Sequence, residues 1–440
     1  MRFLYAIAIR IYILLHQLAA WVNPKAKQMV VGRKSIPLDA LRIEFQHKNT
    51  WLFHCASLGE YEMALPIALK ISEKYHASIV FSFYSPSGFS HAKLPAGDFT
   101  KSYLPWDKRK DIEGFLSVIN PSAVVVIRYE FWLEFLTQIN QRHIPLYLLG
   151  TSFRSDQFLW KFFGRSWKEA IAKAKYIGVI KSNMVAIAEQ HGLSNAARFG
   201  DPKFSRAILR VEQFKSNHST SNLPLAEKAL LDWMNLQNTL VLGSSWPAEE
   251  SMVVECLKDS QFKARISQKD WKILIAPHDI SEAHIQNLLH QFEAFSPILY
   301  TEINTKFNAL PPEKQPSLDQ FGVVILNTVG QLPLAYSAAK IAIVGGAFGK
   351  GLHNITEALC FGLPVLFGPN FHKFPEAQDA IDAGVAFTFD SSQILLQALL
   401  QWINNPNLRN DITEKAIAFT QNNQADIVNF VKLTEKYNRN

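Results

Sequence analysis

From residue 51 onward, short apolar runs alternate with longer stretches of helical period, the pattern of β-α-β units that build parallel sheets. Residues 51–56, 78–84, 122–128, 144–150 and 174–180 read as the strands of a first half. Unbroken runs such as VVVI at 124–127 fit strands covered by helices on both faces. The pattern weakens at QFKSNHSTSNLPLAEK (213–228), rich in Ser and Asn, so residues 213–235 are expected to link two domains. Alternation then resumes, with strands expected at 239–244, 271–277, 322–327, 340–346 and 363–368. Residues 297–320, with Lys306, Pro311, Pro312 and Pro316, are expected to form a loop over the second half. The reading is an α/β protein with doubly wound domains at 23–212 and 236–440. Two such domains would face each other across a cleft, with ligands at the carboxyl ends of the strands.

Residues 1–22 follow another rule. Their apolar stretch of roughly 21 residues would extend about 30 Å as a helix, enough to cross a bilayer. At about 100° per residue, Arg2, Arg10, His16 and Gln17 fall in one stripe of roughly 120°. An Arg in mid-membrane costs several kcal/mol, so a helix lying in the membrane surface is favoured over a span. No A-x-A cleavage site precedes Asn23 to Lys27, which argues against a signal peptide. A helix packed on the core and a single span are the competing readings.

Composition narrows the class. With 440 residues, 48% hydrophobic and 19% charged, the chain holds enough apolar material for two real cores and is not a largely disordered one. Cys55, Cys256 and Cys360 are odd in number and share no ligand spacing, which points to a reducing compartment, the cytoplasm, without a structural zinc site. Of the net charge of +7, six charges fall within residues 1–50. That placement argues against a nucleic-acid groove and for an anionic surface or substrate met by the N-terminal end; a solvated basic segment is the plain alternative.

Four segments carry candidate chemistry, all just after expected strands. In His54 to Glu60, a strand runs into a turn that opens a helix, and Glu60 is suited to be a general base; stabilisation of the helix N-terminus is the other reading. Arg128 and Glu130 end the VVVI strand, either to orient a polar substrate or as a strand-end ion pair. Lys203, in the turn Gly200 to Phe204, offers a cation for a phosphate leaving group, or is simply solvated. The segment 340–369 sets Gly345, Gly346, Gly349 and Gly351 between a strand and a helix, a place where backbone N–H groups can meet a phosphate. It has no Walker frame, and Asn354 with Glu357 reads either as a helix cap or as a grip on ribose hydroxyls. Ser244 and Ser245, Pro277 and His278, and Gly330 to Leu332 follow other strands of the same half, as a nucleotide site at one sheet would require. There is no G-x-S-x-G elbow, HExxH or carboxylate-rich metal cluster, which leaves hydrolase and metal-dependent readings little support.

Taken in order, these segments resemble those of the 3-deoxy-D-manno-octulosonic acid (Kdo) transferases, over nearly the whole chain. Ser57-Leu58-Gly59-Glu60 is similar to S-x-G-E, Tyr103 to Asp107 to Y-L-P-x-D, and Arg128 to Trp132 to E-x-E-x-W-P, with Arg128 at the first Glu and Leu133 at the Pro. Gly200 to Phe204 resembles G-N-L-K-F, Gly243 to Trp246 resembles G-S-T, and Gly345 to Glu357 resembles G-G-S…G-H-N-x-x-E. The resemblance implies a GT-B glycosyltransferase that takes CMP-Kdo on its C-terminal half and a phosphorylated lipid A precursor (lipid IVA) on its N-terminal half, at the cytoplasmic face of the inner membrane. It implies an inverting displacement with no metal and no cofactor, Glu60 as base, and Glu130 and Lys203 as transition-state stabilisers. Ser244, Ser245, Pro277, His278, Gly330, Gln331, Leu332, Gly346, Asn354, Ile355, Thr356 and Glu357 would hold CMP. Two departures fall in the donor site: P-R-H is Pro277-His278-Asp279, a titratable group for a permanent cation, and G-E-L is Gly330-Gln331-Leu332. The rivals are a GT-B enzyme using another nucleotide sugar and a membrane-anchored binding protein without turnover.

Overall fold

The computed structural model describes the chain except residues 1, 37–40, 42–43, 46–47, 218–222, 236–237, 310–316, 350 and 438–440. Two seven-stranded parallel sheets organise it. The first comprises β1 (Thr50–Cys55), β2 (Ser78–Phe83), β3 (Phe99–Tyr103), β4 (Ala123–Ile127), β5 (Leu146–Thr151), β6 (Tyr176–Val179) and β7 (Ala196–Arg198). Its order is β3-β2-β1-β4-β5-β6-β7, so the winding reverses between β1 and β4. The second comprises β8 (Asn238–Ser245), β9 (Trp271–Pro277), β10 (Pro297–Leu299), β11 (Val323–Ile325), β12 (Ile341–Val344), β13 (Val365–Phe367) and β14 (Ala386–Thr388). Its order is β10-β11-β9-β8-β12-β13-β14, with the reversal between β8 and β12. These are the two Rossmann-like halves expected of a GT-B chain.

Helices cover both faces of the first sheet, which is why its central strands are apolar without alternation. Trp51, Phe53 and Cys55 of β1 enter one core with Ala123, Val125 and Ile127 of β4, while Leu52, Val124 and Val126 enter the other. Contacts divide the chain into one unit of Met1–Arg206 with Asn423–Asn440 and another of Ala207–Asn422. The last helix, Ile427–Glu435, therefore belongs to the first unit and not to the second, where sequence order had put it. There Phe430 meets the Tyr147 ring edge-on at 5.3 Å.

Two connections differ from expectation. In the expected linker 213–235, the helix Pro202–Asn217 continues to its end, and Leu225–Asn235 forms another helix that buries Ala226, Leu230, Trp233 and Met234. These four fall at i, i+4, i+7 and i+8, an apolar stripe that the surrounding polar residues mask. The expected loop 297–320 contains β10 and the helix Tyr300–Ala309, in which Lys306 lies; Pro311, Pro312 and Pro316 lie outside the described residues.

Two helices, α1 (Arg2–Ala19) and α2 (Pro24–Lys34), precede β1. Asn23 starts α2 by accepting from the amides of Lys25 and Ala26, and Pro24 supplies a preset first turn. Among the described residues α1 alone is long and apolar enough to cross a membrane. It buries Ile9 and Ile13 against Met29, Val30 and Trp106. Phe3, Leu4, Ile7, Ile11, Leu14, Leu15 and Leu18 stay exposed on the opposite side, and Trp21 is 89% exposed. The polar stripe read from sequence is split: Arg2 pairs with Glu134 at 3.1 Å and His16 packs near Trp106, whereas Arg10 and Gln17 remain exposed.

Candidate functional site

In the first unit, the reversal of winding brings the ends of β1 and β4 side by side, and the charged candidates gather there. β1 runs into Ser57, which caps the helix Leu58–Tyr75 through Gly59 N–H, while the Glu60 carboxylate accepts from the Ser57 amide at 3.0 Å and from its hydroxyl. Both bonds fall on Oε2; no described residue donates to Oε1. The cap and the proton-accepting role are therefore compatible, because the first fixes the side chain that the second uses.

β4 is followed by Arg128, whose φ of 67° turns the backbone so that the loop 128–132 leaves the sheet sharply. Its guanidinium donates to both oxygens of Asp201, at 2.8 and 3.1 Å, with each side chain only 13% exposed. The resemblance puts Glu and Asn at these two places; here both have changed, and the pair is an ion pair in which Nη2 of Arg128 spans both carboxylate oxygens. Arg128 also reaches Met63, on the helix that carries Glu60, and Asp201 accepts from the Lys203 amide at 2.9 Å. The pair thus ties the Lys203 turn to the Glu60 helix.

Glu130 accepts from Trp132 Nε1 at 2.9 Å. Burial raises its pKa, the Trp132 bond opposes this, and the charge of Glu60 raises it further, which shows that the two carboxylates feel each other. His54 lies 4.0 Å from Glu130, but complete burial pushes the imidazole down to about 3 and Nδ1 is engaged by Ser82. That contact is a neutral ring beside a carboxylate and not an ion pair.

The second unit holds a pocket of about 510 Å³ between the ends of β8, β9 and β12. Three rings form one wall. Trp246 and His278 stack with centroids 4.6 Å apart, and His278 and His353 do the same. Trp246 Nε1 donates to His353 Nε2 at 2.9 Å. The indole can only donate, so this nitrogen carries a lone pair and His353 is neutral, in keeping with a pKa lowered by burial and by His278. Phe348 and Phe374 line another part of the pocket.

The glycine-rich loop is built differently from the phosphate cradle expected of it. Gly345 donates to Gly243 O, Gly346 to Glu249 Oε1, and both Gly349 and Gly351 to Gly346 O, so the four glycine amides are already taken. Glycine is needed for closeness: Gly346 has φ +96°, and a Cβ there would meet Gly351 O and the His353 ring. Asn354 accepts from Thr356 N and its hydroxyl, and the helix that follows, Thr356–Cys360, is a single turn with little dipole to offer.

Of the expected donor residues, His278 and Gly346 line the pocket. Ser245 is buried and donates to Glu250, Ser244 turns the chain at φ 50°, and Pro277 ends β9 beside Ser245. Gln331 starts the helix Leu332–Ala338 after the turn at Gly330. Ser244, Ser245, Pro277, Gly330 to Leu332 and Asn354 to Glu357 are absent from the lining. Trp246, Glu249, His353, Phe348 and Phe374 line it without having been singled out. Glu249 and Glu250, both fully buried, hold the loop and the Ser245 turn; Glu249 was hidden because its partner Gly346 is distant in sequence, and Glu250 because a carboxylate in a first helical turn reads as an ordinary solvated one. Among the described residues, no cluster of three or more His, Cys, Asp or Glu is arranged to hold a metal ion.

Comparison with known proteins adds a family. The family described as 3-Deoxy-D-manno-octulosonic-acid transferase (kdotransferase) matches residues 33–206, all within the first unit. A 3-deoxy-D-manno-octulosonic acid transferase of Rickettsia felis is 24% identical over 430 residues, 95% of this chain and 85% of that one. Its counterpart in Haemophilus influenzae is 25% identical over 328 residues, 73% of this chain and 71% of that one. The structure is similar in fold to UDP-GlcNAc 2-epimerase from Neisseria meningitidis bound to UDP-GlcNAc, with TM-score 0.58 and 12% identity, over 88% of this chain and 100% of that one.

Proposed function

We propose that the chain is a Kdo transferase, as its likeness to that family over residues 33–206 and to relatives along most of its length supports, and that it moves Kdo from CMP-Kdo onto the phosphorylated lipid A precursor, lipid IVA. The observation that carries this reading is that Glu60 and Glu130 follow β1 and β4, where the winding of the first sheet reverses, and feel each other's charge, with the Lys203 turn tied to Arg128 through Asp201. A hydroxyl oxygen of the acceptor attacks the Kdo anomeric carbon and gives its proton to Glu60. The bond from that carbon to the CMP phosphate oxygen breaks, and CMP leaves with the electron pair, so the configuration inverts. Glu130 stabilises positive charge building on the sugar ring, and Lys203 supplies a cation for the departing phosphate. The Trp246, His278 and His353 wall of the second unit is a flat surface suited to a nucleotide base.

The acceptor side is read from α1. Its exposed apolar residues, with Arg10 alongside and most of the net charge of the chain within residues 1–50, suit a helix lying in an anionic membrane surface, catalytic units on the cytoplasmic side.

The test is transfer from CMP-Kdo, generated in situ, to lipid IVA, with product masses read for wild type and Glu60→Gln. The expected result is product heavier by whole Kdo units, with a loss in kcat of about 10²–10⁴-fold in the variant and thermal stabilisation by CMP retained. Turnover kept by Glu60→Gln would remove Glu60 from the base role. Stabilisation by uridine nucleotides in preference to CMP would overturn the donor assignment.

A further inference from the structure

α1 presents its exposed apolar residues to one side and a different set to the body of the first unit. Arg2, Tyr5 and Tyr12 fall on one face of the helix, and each lands on the segment that carries Glu130 or on a residue that holds it. Tyr12 accepts a hydrogen bond from the Tyr84 hydroxyl at 2.8 Å. The Tyr84 ring, just past β2, stacks on Trp132 with centroids 4.5 Å apart and planes within 19°. Trp132 in turn donates to Glu130. Tyr5 donates to Asp107, and Asp107 accepts from the amides of Glu134 and Phe135, satisfying the start of the helix Leu133–Gln141 that follows Glu130. Arg2 pairs with Glu134 in the same first turn.

Behind this face, Arg33 of α2 is buried with its guanidinium 4.4 Å from both the Tyr84 and the Trp106 rings, and it donates to the Tyr84 carbonyl. Tyr84 is thereby held by backbone, cation and stack, and its hydroxyl has α1 as a partner. The loop 128–132 has no regular structure of its own, so Glu130 takes its place from these contacts.

We propose that Trp132 is a positioning residue for Glu130 and that α1, through Tyr12 and Tyr84, braces it: the helix is a working part of the acceptor side as well as an anchor. This rests on the role given to Glu130 above. Seating of the apolar side of α1 on a lipid surface would then order the contacts that set Glu130, so that engagement of the membrane and readiness for transfer are linked.

The experiment uses the full chain with Trp132→Phe, which keeps a ring on Tyr84 and removes the N–H, together with Tyr12→Ala and Glu130→Gln. Two readouts are taken: kcat for transfer, and the titration of Glu130, read as the difference between carboxyl ¹³C spectra of each protein with and without Glu130→Gln. The groups facing Glu130 are Trp132, Glu60, the neutral His54 and the Tyr84 hydroxyl, which burial and Tyr12 keep protonated, so loss of the Trp132 bond leaves burial and a like charge, and the titration moves up. The expected result for both Trp132→Phe and Tyr12→Ala is an upward shift with a fall in kcat of about tenfold, and effects in the double variant smaller than the product of the singles. Tyr12→Ala must still float with anionic vesicles, which separates bracing from anchoring. An unmoved titration in Trp132→Phe overturns the positioning role, and an unmoved titration in a vesicle-bound Tyr12→Ala overturns the brace. A Glu130→Gln protein as active as wild type overturns the reading of Glu130 itself, whatever the titrations show. Should Trp132→Phe melt far below wild type, Tyr84→Phe, which deletes only the hydroxyl that reaches α1, replaces it with the same expected direction.

Discussion

The two sheets have the same number of strands and each reverses its winding once, yet their sites are held in different ways. In the first unit the candidates are charged: Arg128 pairs with Asp201 and Asp201 holds the Lys203 turn, while Glu60 hangs from Ser57 and Glu130 from Trp132, each in reach of the other's charge. In the second the exposed wall is aromatic, and the carboxylates Glu249 and Glu250 are buried scaffolding for it. A site that must accept a proton and balance a leaving phosphate needs groups that can change charge. A site that must hold a flat base needs rigid faces, and it uses charge only out of sight.

The comparison can be broken first at Arg128. Arg128→Ala leaves Asp201 buried without its partner and should destabilise the first unit by about 3 kcal/mol in urea unfolding. Asp201→Asn in that background should recover most of the loss, whereas independent effects would deny that the two substitutions are matched. The corresponding cut in the second unit is Gly243→Ala, where a Cβ would meet the hydroxyl of the fully buried Tyr336; about 2 kcal/mol is expected, visible in the same melts.

Acid should separate the units more finely. His54 is kept neutral in the fold at a pKa of about 3, below its unfolded value, so the unfolded chain binds the extra proton and stability falls as pH drops below about 6.5. Between pH 6.5 and 5 this costs about 1.5 kcal/mol. Asp107, raised to about 6 by burial, takes up a proton in the fold and opposes part of that loss. The quantity to measure is therefore the slope of stability against pH in wild type minus that in His54→Asn; equal slopes would remove His54 from the account. The smallest effect belongs to the ring wall. Trp246→Phe keeps the stack and deletes the donor to His353, so the His353 titration should rise by less than about one unit, as read by imidazole NMR. A downward move would mean the indole bond does not favour the neutral ring.

Legibility in the sequence followed burial. All ten strands expected from apolar runs are present, and the four that were missed, β3, β7, β10 and β14, are the edges of the two sheets. Central strands buried on both faces must be apolar throughout, whereas an edge strand needs little of that character: β7 is Ala-Ala-Arg with two of its three residues exposed, and β3 mixes Lys and Ser with Phe and Tyr. Glu60, Glu130 and Gly346 could be singled out because each follows a strong strand beside a reversal of winding, and His278 because it follows β9, whereas Lys203 follows the missed edge strand β7 and was marked only by its Gly-Asp-Pro turn. His353, Trp246 and Asp107 sat inside quoted motifs without a role, since what each does depends on a partner from about 25 to more than 100 residues away. The glycine loop shows the opposite error: its composition suggested amides free for a ligand, and the fold spends them on itself.

Because the helix Ile427–Glu435 closes over Tyr147 and Phe199 in the first unit, the second unit is inserted within the first. A nascent chain that has emerged from the ribosome as far as Asn422 can complete its second folding unit while the first still waits for its final helix. A stop codon near the 3′ end of the reading frame would therefore injure the half of the protein encoded at the 5′ end, and a first unit expressed on its own would need residues 423–437 spliced back to it.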